Sequence, residues 1–326
     1  MLKKGETMSL LSVKDLKTYF HVYMGTVKSV DGVSFDLERG KTLGIVGESG
    51  SGKTVSCLSL LKLIPMPPGE IVGGQAMMDG EDLLTLSEKE MRKVRGRKIS
   101  MIFQEPMTAL NPLYTVGDQI AETIRLHQKV NKREAFEKAV EMLDAVSIPA
   151  PKARAMSYPH QLSGGMKQRA MIALAMSCHP QILIADEPST ALDVTVQAQI
   201  LLLIDEFKKK YGTSVILVTH NMGVITSSAD DVMVMYVGKM VEKGNVYEIF
   251  NNPKHPYTQG LMDCILKSTG GKQILKTMPG FIPNPINKPQ GCAFHPRCPH
   301  RKSICMNEEP PVVDFNEHKT ACWLYA

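Results

Sequence analysis

Short apolar runs and longer stretches of helical period take turns along this chain. Around Leu10 to Val13, Val33 to Leu37 and Thr42 to Val46 the residues are apolar and β-branched over strand-like lengths, and the last run feeds a glycine-rich loop. A helix is expected from Lys53 to about Leu63, where Pro65, Pro67, Pro68 and Gly69 stop it. Further strands are expected at Gln75 to Met78 and Lys98 to Phe103. From Val116 to about Tyr158 the period becomes helical, carried by Ile120, Ile124, Leu126, Ala135, Ala139, Leu143 and Val146. Beyond it the pattern predicts a helix ending near Cys178, strands at Ile182 to Asp186, Ser214 to Thr219 and Asp231 to Tyr236, and a helix from Val194 to Tyr211. Strands separated by helices imply a parallel sheet with right-handed crossovers, which binds ligands in the loops at the carboxyl ends of its strands. After Gly244 the character shifts to a short helix near Tyr247 and then, from about Gly280 to Ala326, to a tail rich in proline and cysteine.

Composition narrows the class only a little. The 326 residues suffice for one large domain with an appendage, and a hydrophobic fraction of 43% with 22% charged residues is ordinary for a soluble globular protein. The formal charge of +5 is not gathered into a basic tract, which argues against a nucleic-acid partner and against a membrane-binding arm. No apolar run reaches the roughly 18 residues that a bilayer span requires. Met1 to Thr7 carries lysines but neither an apolar run nor a small-residue cleavage site, so no signal peptide is read there. The protein is therefore expected to stay in the cytoplasm, with Met8 as an alternative start and a disordered leader before it.

The candidate chemistry begins at Gly47-Glu48-Ser49-Gly50-Ser51-Gly52-Lys53-Thr54, which matches the phosphate-cradling pattern GxxxxGK[ST]. Backbone N–H groups can surround a polyphosphate only where side chains are absent. Gly47, Gly50 and Gly52 allow that approach, with Ser49 and Ser51 between them, while the helix starting near Lys53 aims its N-terminus at the anion. Lys53 brings a positive charge to the β and γ phosphates, and the Thr54 hydroxyl suits Mg²⁺. Downstream, Asp186 and Glu187 end an apolar strand. The first carboxylate can hold the metal through water, and the second can orient and deprotonate an attacking water.

Between these halves lies Leu162-Ser163-Gly164-Gly165-Met166-Lys167-Gln168-Arg169, and this segment resembles the signature of the ATP-binding cassette family. Gln104 in Phe103-Gln104-Glu105 resembles the family's Q-loop, a contact to Mg²⁺ and water. His220 in Val218-Thr219-His220-Asn221 resembles the switch histidine that touches the γ phosphate. Ser189-Thr190-Ala191-Leu192-Asp193 resembles the D-loop. The family stacks adenine on an aromatic residue upstream of the phosphate loop; Phe20 fits by spacing, with Tyr19 and Tyr23 as competitors. The resemblance covers about Leu10 to Gly244. It implies an α/β P-loop ABC ATPase core with a mainly parallel sheet, an N-terminal antiparallel β subdomain and a helical insertion. It also implies that Ser163, Gly164 and Gly165, at a helix start, close over ATP bound by a neighbouring subunit.

The tail adds Cys292, Cys298, Cys305 and Cys322, whereas Cys57, Cys178 and Cys264 are scattered among predicted helices and are expected to be buried or inert. Four thiols in a cytoplasmic protein favour a metal site over disulfides, yet they lack the CxxC pairs usual for zinc. The tail resembles that of the oligopeptide and dipeptide importer ATPases, in which such cysteines hold a four-iron four-sulfur cluster. His255-Pro256-Tyr257-Thr258, Gly280-Phe281-Ile282-Pro283 and Phe294-His295-Pro296-Arg297-Cys298 agree with it. The boundaries expected are a nucleotide-binding domain over 8–250, its helical subdomain over about 113–178, and a cysteine-bearing extension over 251–326. The resemblance implies an ATPase subunit at the cytoplasmic face of the membrane. Its implied partners are transmembrane permease subunits, a sister ATPase or second copy, and indirectly an external substrate-binding protein. Its implied cargo is a dipeptide or oligopeptide; nickel or another small solute is the alternative within transport. A soluble cassette ATPase acting on nucleic acid or ribosomes is the alternative outside it.

Overall fold

Leu11, Val13 and Leu16 are buried while Lys14 and Asp15 face solvent, so the first apolar run does form a strand, and it runs far beyond the four residues expected. In the computed structural model, which describes residues 9–104, 109–188, 193–264 and 278–326, β1 spans Ser9–Val22. Its pairing shifts register around Asp15, which sits at φ 50°, and again after Thr18. Those irregularities break the two-residue alternation, and the rest of the strand is hidden from a pattern reading. β1 lies between β2 (Gly25–Glu38) and β4 (Gly69–Met78), with β5 (Glu81–Asp82) beyond, in a four-stranded antiparallel sheet.

This sheet belongs to the first of two units, Met1–Thr85 with Val218–Ala326. There β3 (Thr42–Val46), buried throughout, pairs in parallel with β9 (Asp231–Tyr236). α1 covers Lys53–Leu60, a turn short of the expected end. β10 (Lys239–Asn245) returns antiparallel along β9, and the tail adds a hairpin, β11 (Val312–Phe315) and β12 (His318–Ala321), whose second strand pairs with β10. Glu242 on β10 is fully buried because its carboxylate is saturated. It accepts N–H bonds from Lys254 at 2.6 Å and His255 at 3.0 Å and meets His318 Nε2 at 2.7 Å.

The second unit, Leu86–Leu217, carries β6 (Ile99–Ile102) parallel to β7 (Ile182–Asp186). Its helices are α2 (Glu88–Val94), α3 (Val116–Gln128), α4 (Lys132–Ala145), α5 (Pro151–Ala155), α6 (Gly164–Met176) and α7 (Val194–Tyr211). Ser87, Thr115, Asn131, Ser163 and Asp193 each cap a helix by accepting a backbone N–H, which explains where five of these helices start. Val116, Ile120 and Ile124 form the buried stripe of α3, with Ala135, Ala139 and Leu143 doing the same on α4. Leu126, counted in the helical pattern, falls off that stripe and is exposed. The chain returns to the first unit within β8 (Ser214–Thr219). No helix among the described residues is long and apolar enough to cross a membrane.

Candidate phosphate-binding site and cysteine tail

The phosphate loop joins β3 to α1, and its glycines are required by geometry. Gly52 lies at φ 101°, where a β-carbon would strike the Ser29 carbonyl, and a β-carbon on Gly47 would strike that of Met235. The loop thus wraps tightly before α1 begins at Lys53. Lys53 Nζ donates to the carbonyls of Gly47 at 2.8 Å and Glu48 at 3.1 Å, so the ammonium is held inside the loop's own curve. Ser51 Oγ is buried there with no hydrogen-bond partner among the described residues. An orphaned hydroxyl beside a buried ammonium at a helix N-terminus is the donor set that a phosphate satisfies. Ser49 and Gly50 are exposed on the loop, and Thr54 is half-buried in the first turn of α1.

The aromatic candidates separate cleanly. Tyr19 has its hydroxyl committed to Asp31 at 2.7 Å, and burial first, then that carboxylate, pushes its pKa up to about 12. Tyr23 projects fully into solvent. Phe20 is half-buried on β1, and its ring edge lies beside Gly69. His220 is exposed just past β8.

Within the second unit, two residues chosen for catalysis meet. Gln104 Nε2 donates to Glu187 Oε2 at 3.1 Å, although the two lie far apart in the chain. Asp186 is buried at the end of β7, whereas Glu187 leaves the strand at φ 46°, a left-handed conformation costly for a residue with a long side chain. Ser163 is the N-cap of α6, accepting from Met166 N, with Gly164 and Gly165 in the first turn. A β-carbon on Gly164 would meet nothing, so that turn is open. Gln168 of the same helix donates to the Pro188 carbonyl. Asp193 caps α7 by accepting from Val196 N at 2.9 Å. Ser189 to Leu192, and Glu105 beside Gln104, lie outside the described residues, as does the expected leader before Met8.

In the tail, Cys305 and Cys322 are buried and Cys292 and Cys298 half-buried. Burial raises the pKa of Cys292 to about 11, and Cys298, Cys305 and Cys322 all add to the rise. Cys298 and Cys322 are raised in the same way, by burial and then by neighbouring thiols. Cys292, Cys298 and Cys322 therefore each sense at least one neighbouring thiol. Among the described residues, however, no group of three or more His, Cys, Asp or Glu side chains is disposed to hold a metal ion, so the expected metal site at these cysteines is not formed in that sense. Cys57 is buried and Cys178 half-buried, as expected of scattered thiols, but Cys264 at the end of its helix is exposed.

Comparison with known proteins decides the family. Residues 30–190 match the model for the ABC transporter family, and residues 241–305 match that for the C-terminal region of oligopeptide/dipeptide transporters. The oligopeptide transport ATP-binding protein OppD of Bacillus subtilis is 49% identical, covering 97% of this chain and 88% of that protein. The chain belongs to the ABC transporter family. The dipeptide transport ATP-binding protein DppD of Bacillus subtilis is 48% identical to this ABC ATPase, with 97% and 94% of the two chains covered. Among solved structures, the dimeric post-hydrolysis cassette MJ0796 bound to ADP and Pi has a TM-score of 0.65 at 24% identity. The match covers 72% of this chain and 98% of that one. CbiO1 of Clostridium perfringens, part of the cbiONQ transporter complex, has a TM-score of 0.63 at 25% identity, covering 75% and 91%. The P-loop ABC ATPase fold is thereby established, and with it an ATPase coupled to transport.

Three residues around the phosphate loop escaped the sequence reading. The Glu48 N–H donates to Tyr257 Oη at 2.9 Å, and the Glu48 carboxylate takes two bonds from Arg297, at 2.6 and 3.1 Å. Tyr257 and Arg297 were visible only as members of tail patterns, and nothing in their spacing points back to position 48.

Proposed function

We propose that this chain is the ATP-hydrolysing subunit of an importer that carries dipeptides or oligopeptides, seated peripherally on the cytoplasmic face of its membrane subunits. The observation that carries the reading is the match of residues 241–305 to the oligopeptide/dipeptide transporter tail behind a complete phosphate loop. On this reading 8–250 is the nucleotide-binding domain and 251–326 the extension. Lys53, Ser51 and the loop N–H groups grip the triphosphate, with Phe20 against the adenine. Thr54, Gln104 and Asp186 would hold Mg²⁺, which when bound would neutralise charge on the β and γ phosphates. Glu187 deprotonates the attacking water and His220 senses the γ phosphate. The Gln104–Glu187 hydrogen bond supports the pairing of metal contact with base. Ser163, Gly164 and Gly165 offer a capped helix start to the nucleotide of a sister subunit or second copy, and Asp193 lies at that subunit boundary. Closure on ATP and opening after hydrolysis then drive the permease, which an external substrate-binding protein supplies.

The four tail cysteines suit a four-iron four-sulfur cluster. What supports this reading is the likeness of residues 241–305 to the oligopeptide/dipeptide transporter tail and the burial of these thiols beside one another. Such a group, when bound, would pin the tail and would take no part in hydrolysis.

The reading is tested in vesicles holding the membrane subunits that co-purify with this chain. A labelled dipeptide or oligopeptide should accumulate only with ATP, and Lys53→Ala or Glu187→Gln should cut uptake and ATP turnover together by about a hundredfold or more. Accumulation of nickel or another small solute, but of no peptide, would overturn the cargo. Normal turnover in either variant would overturn the residue roles.

A further inference from the structure

Glu48 is the second residue of the phosphate loop, and three separate groups fix it. Its N–H is bound to Tyr257 Oη at 2.9 Å, its carbonyl accepts from Lys53 Nζ at 3.1 Å, and its carboxylate receives the Arg297 guanidinium on both oxygens. The first two bonds hold the backbone. The third comes from the cysteine-bearing tail, because Arg297 directly precedes Cys298 and follows Cys292 in the same turn-rich segment.

Arg297 is itself firmly seated. Its side chain is 4% exposed against 28% for Glu48. Nε donates to the Pro279 carbonyl at 3.1 Å and Nη1 lies 3.4 Å from Tyr236 Oη. The guanidinium also lies 5.9 Å from the ring centres of both Tyr236 and Phe294. A bidentate fork held this way has one geometry available, unlike a flexible ammonium. The fork fixes the side chain of Glu48 while Tyr257 and Lys53 fix its backbone, so the tail helps to set the shape of the loop.

We propose that Arg297 is a positioning residue for nucleotide binding: by pairing with Glu48 it holds the phosphate loop open to a triphosphate and makes nucleotide affinity depend on the seating of the cysteine tail. This rests on the reading of the loop as the ATP site. The alternative, a purely local brace for the tail, would leave that affinity untouched.

The experiment titrates the full chain with a fluorescent ATP analogue and Mg²⁺. Arg297→Ala should weaken binding about tenfold or more, while Arg297→Lys, which keeps the charge but not the fork, should recover part of the loss. In turnover the defect should lie in KM, with kcat little changed. Glu48→Gln, which leaves the tail intact, measures the same link should Arg297→Ala fail to fold, and should weaken binding comparably. The double variant should be no worse than either single one, because both remove one interaction. Unchanged affinity in Arg297→Ala or in Glu48→Gln, or losses that multiply in the double variant, would overturn the link and leave the ATP reading standing. No binding by the unaltered chain would overturn the ATP reading, and the link with it.

Discussion

Gly50 and Gly52 sit two positions apart in one loop and are constrained differently. Gly50 has φ 77° with open space around its α-carbon, whereas Gly52 has φ 101° and the Ser29 carbonyl where a β-carbon would go. Alanine at position 50 bears only the cost of a left-handed backbone, about 1 kcal/mol; at position 52 it adds a backbone collision, and the sum should reach about 3 kcal/mol. Urea denaturation of the two variants should therefore give clearly separated midpoints, with Gly52→Ala the lower. Equal midpoints would mean that the loop relaxes around the added carbon. The pattern GxxxxGK[ST] specifies Gly52, where the backbone crowds the α-carbon, and leaves position 50 open, where it does not. Glu48 was silent in the same stretch because its partners come from the far end of the chain.

Among the elements, α8 (Pro256–Asp263) shows how a buried histidine can serve as a cap. His255 Nδ1 accepts from Tyr257 N at 3.0 Å, and burial drives its pKa down to about 3, so the ring is neutral in the folded protein. An unfolded chain binds a proton on this ring below its ordinary value of 6.5, while the folded chain does not. Stability from this group is thus full above about pH 6.5 and is lost progressively as the pH falls toward 3. His255→Asn keeps an acceptor at the cap and removes the titration. Its thermal midpoint should fall less than that of the unaltered chain between pH 7 and pH 4; parallel curves would exclude the mechanism. Elements of this kind mark the limit of pattern reading. Strands buried on both faces, such as β3, β7 and β8, and capped helices such as α7 were legible at their observed boundaries. The β10–β12 edge was not, because Glu242 and His318 are polar residues paired inside it, and α2 was missed because its capping box stands on a short, charged segment.

For the molecule as a whole, the cysteine tail makes the sharpest chemical prediction. Chain purified without air should contain iron and acid-labile sulfide in equal amounts, and Cys305→Ser should lose both together with a visible absorbance band. Stoichiometric zinc without iron would overturn the cluster. The first unit is built from both ends of the chain, Met1–Thr85 and Val218–Ala326. A ribosome therefore releases the phosphate loop long before it has made Tyr257 or Arg297, the residues that seat Glu48. During synthesis the growing polypeptide holds the phosphate loop in an unbraced form, and nascent chains stalled short of the tail remain unfinished and exposed to chaperones and proteases.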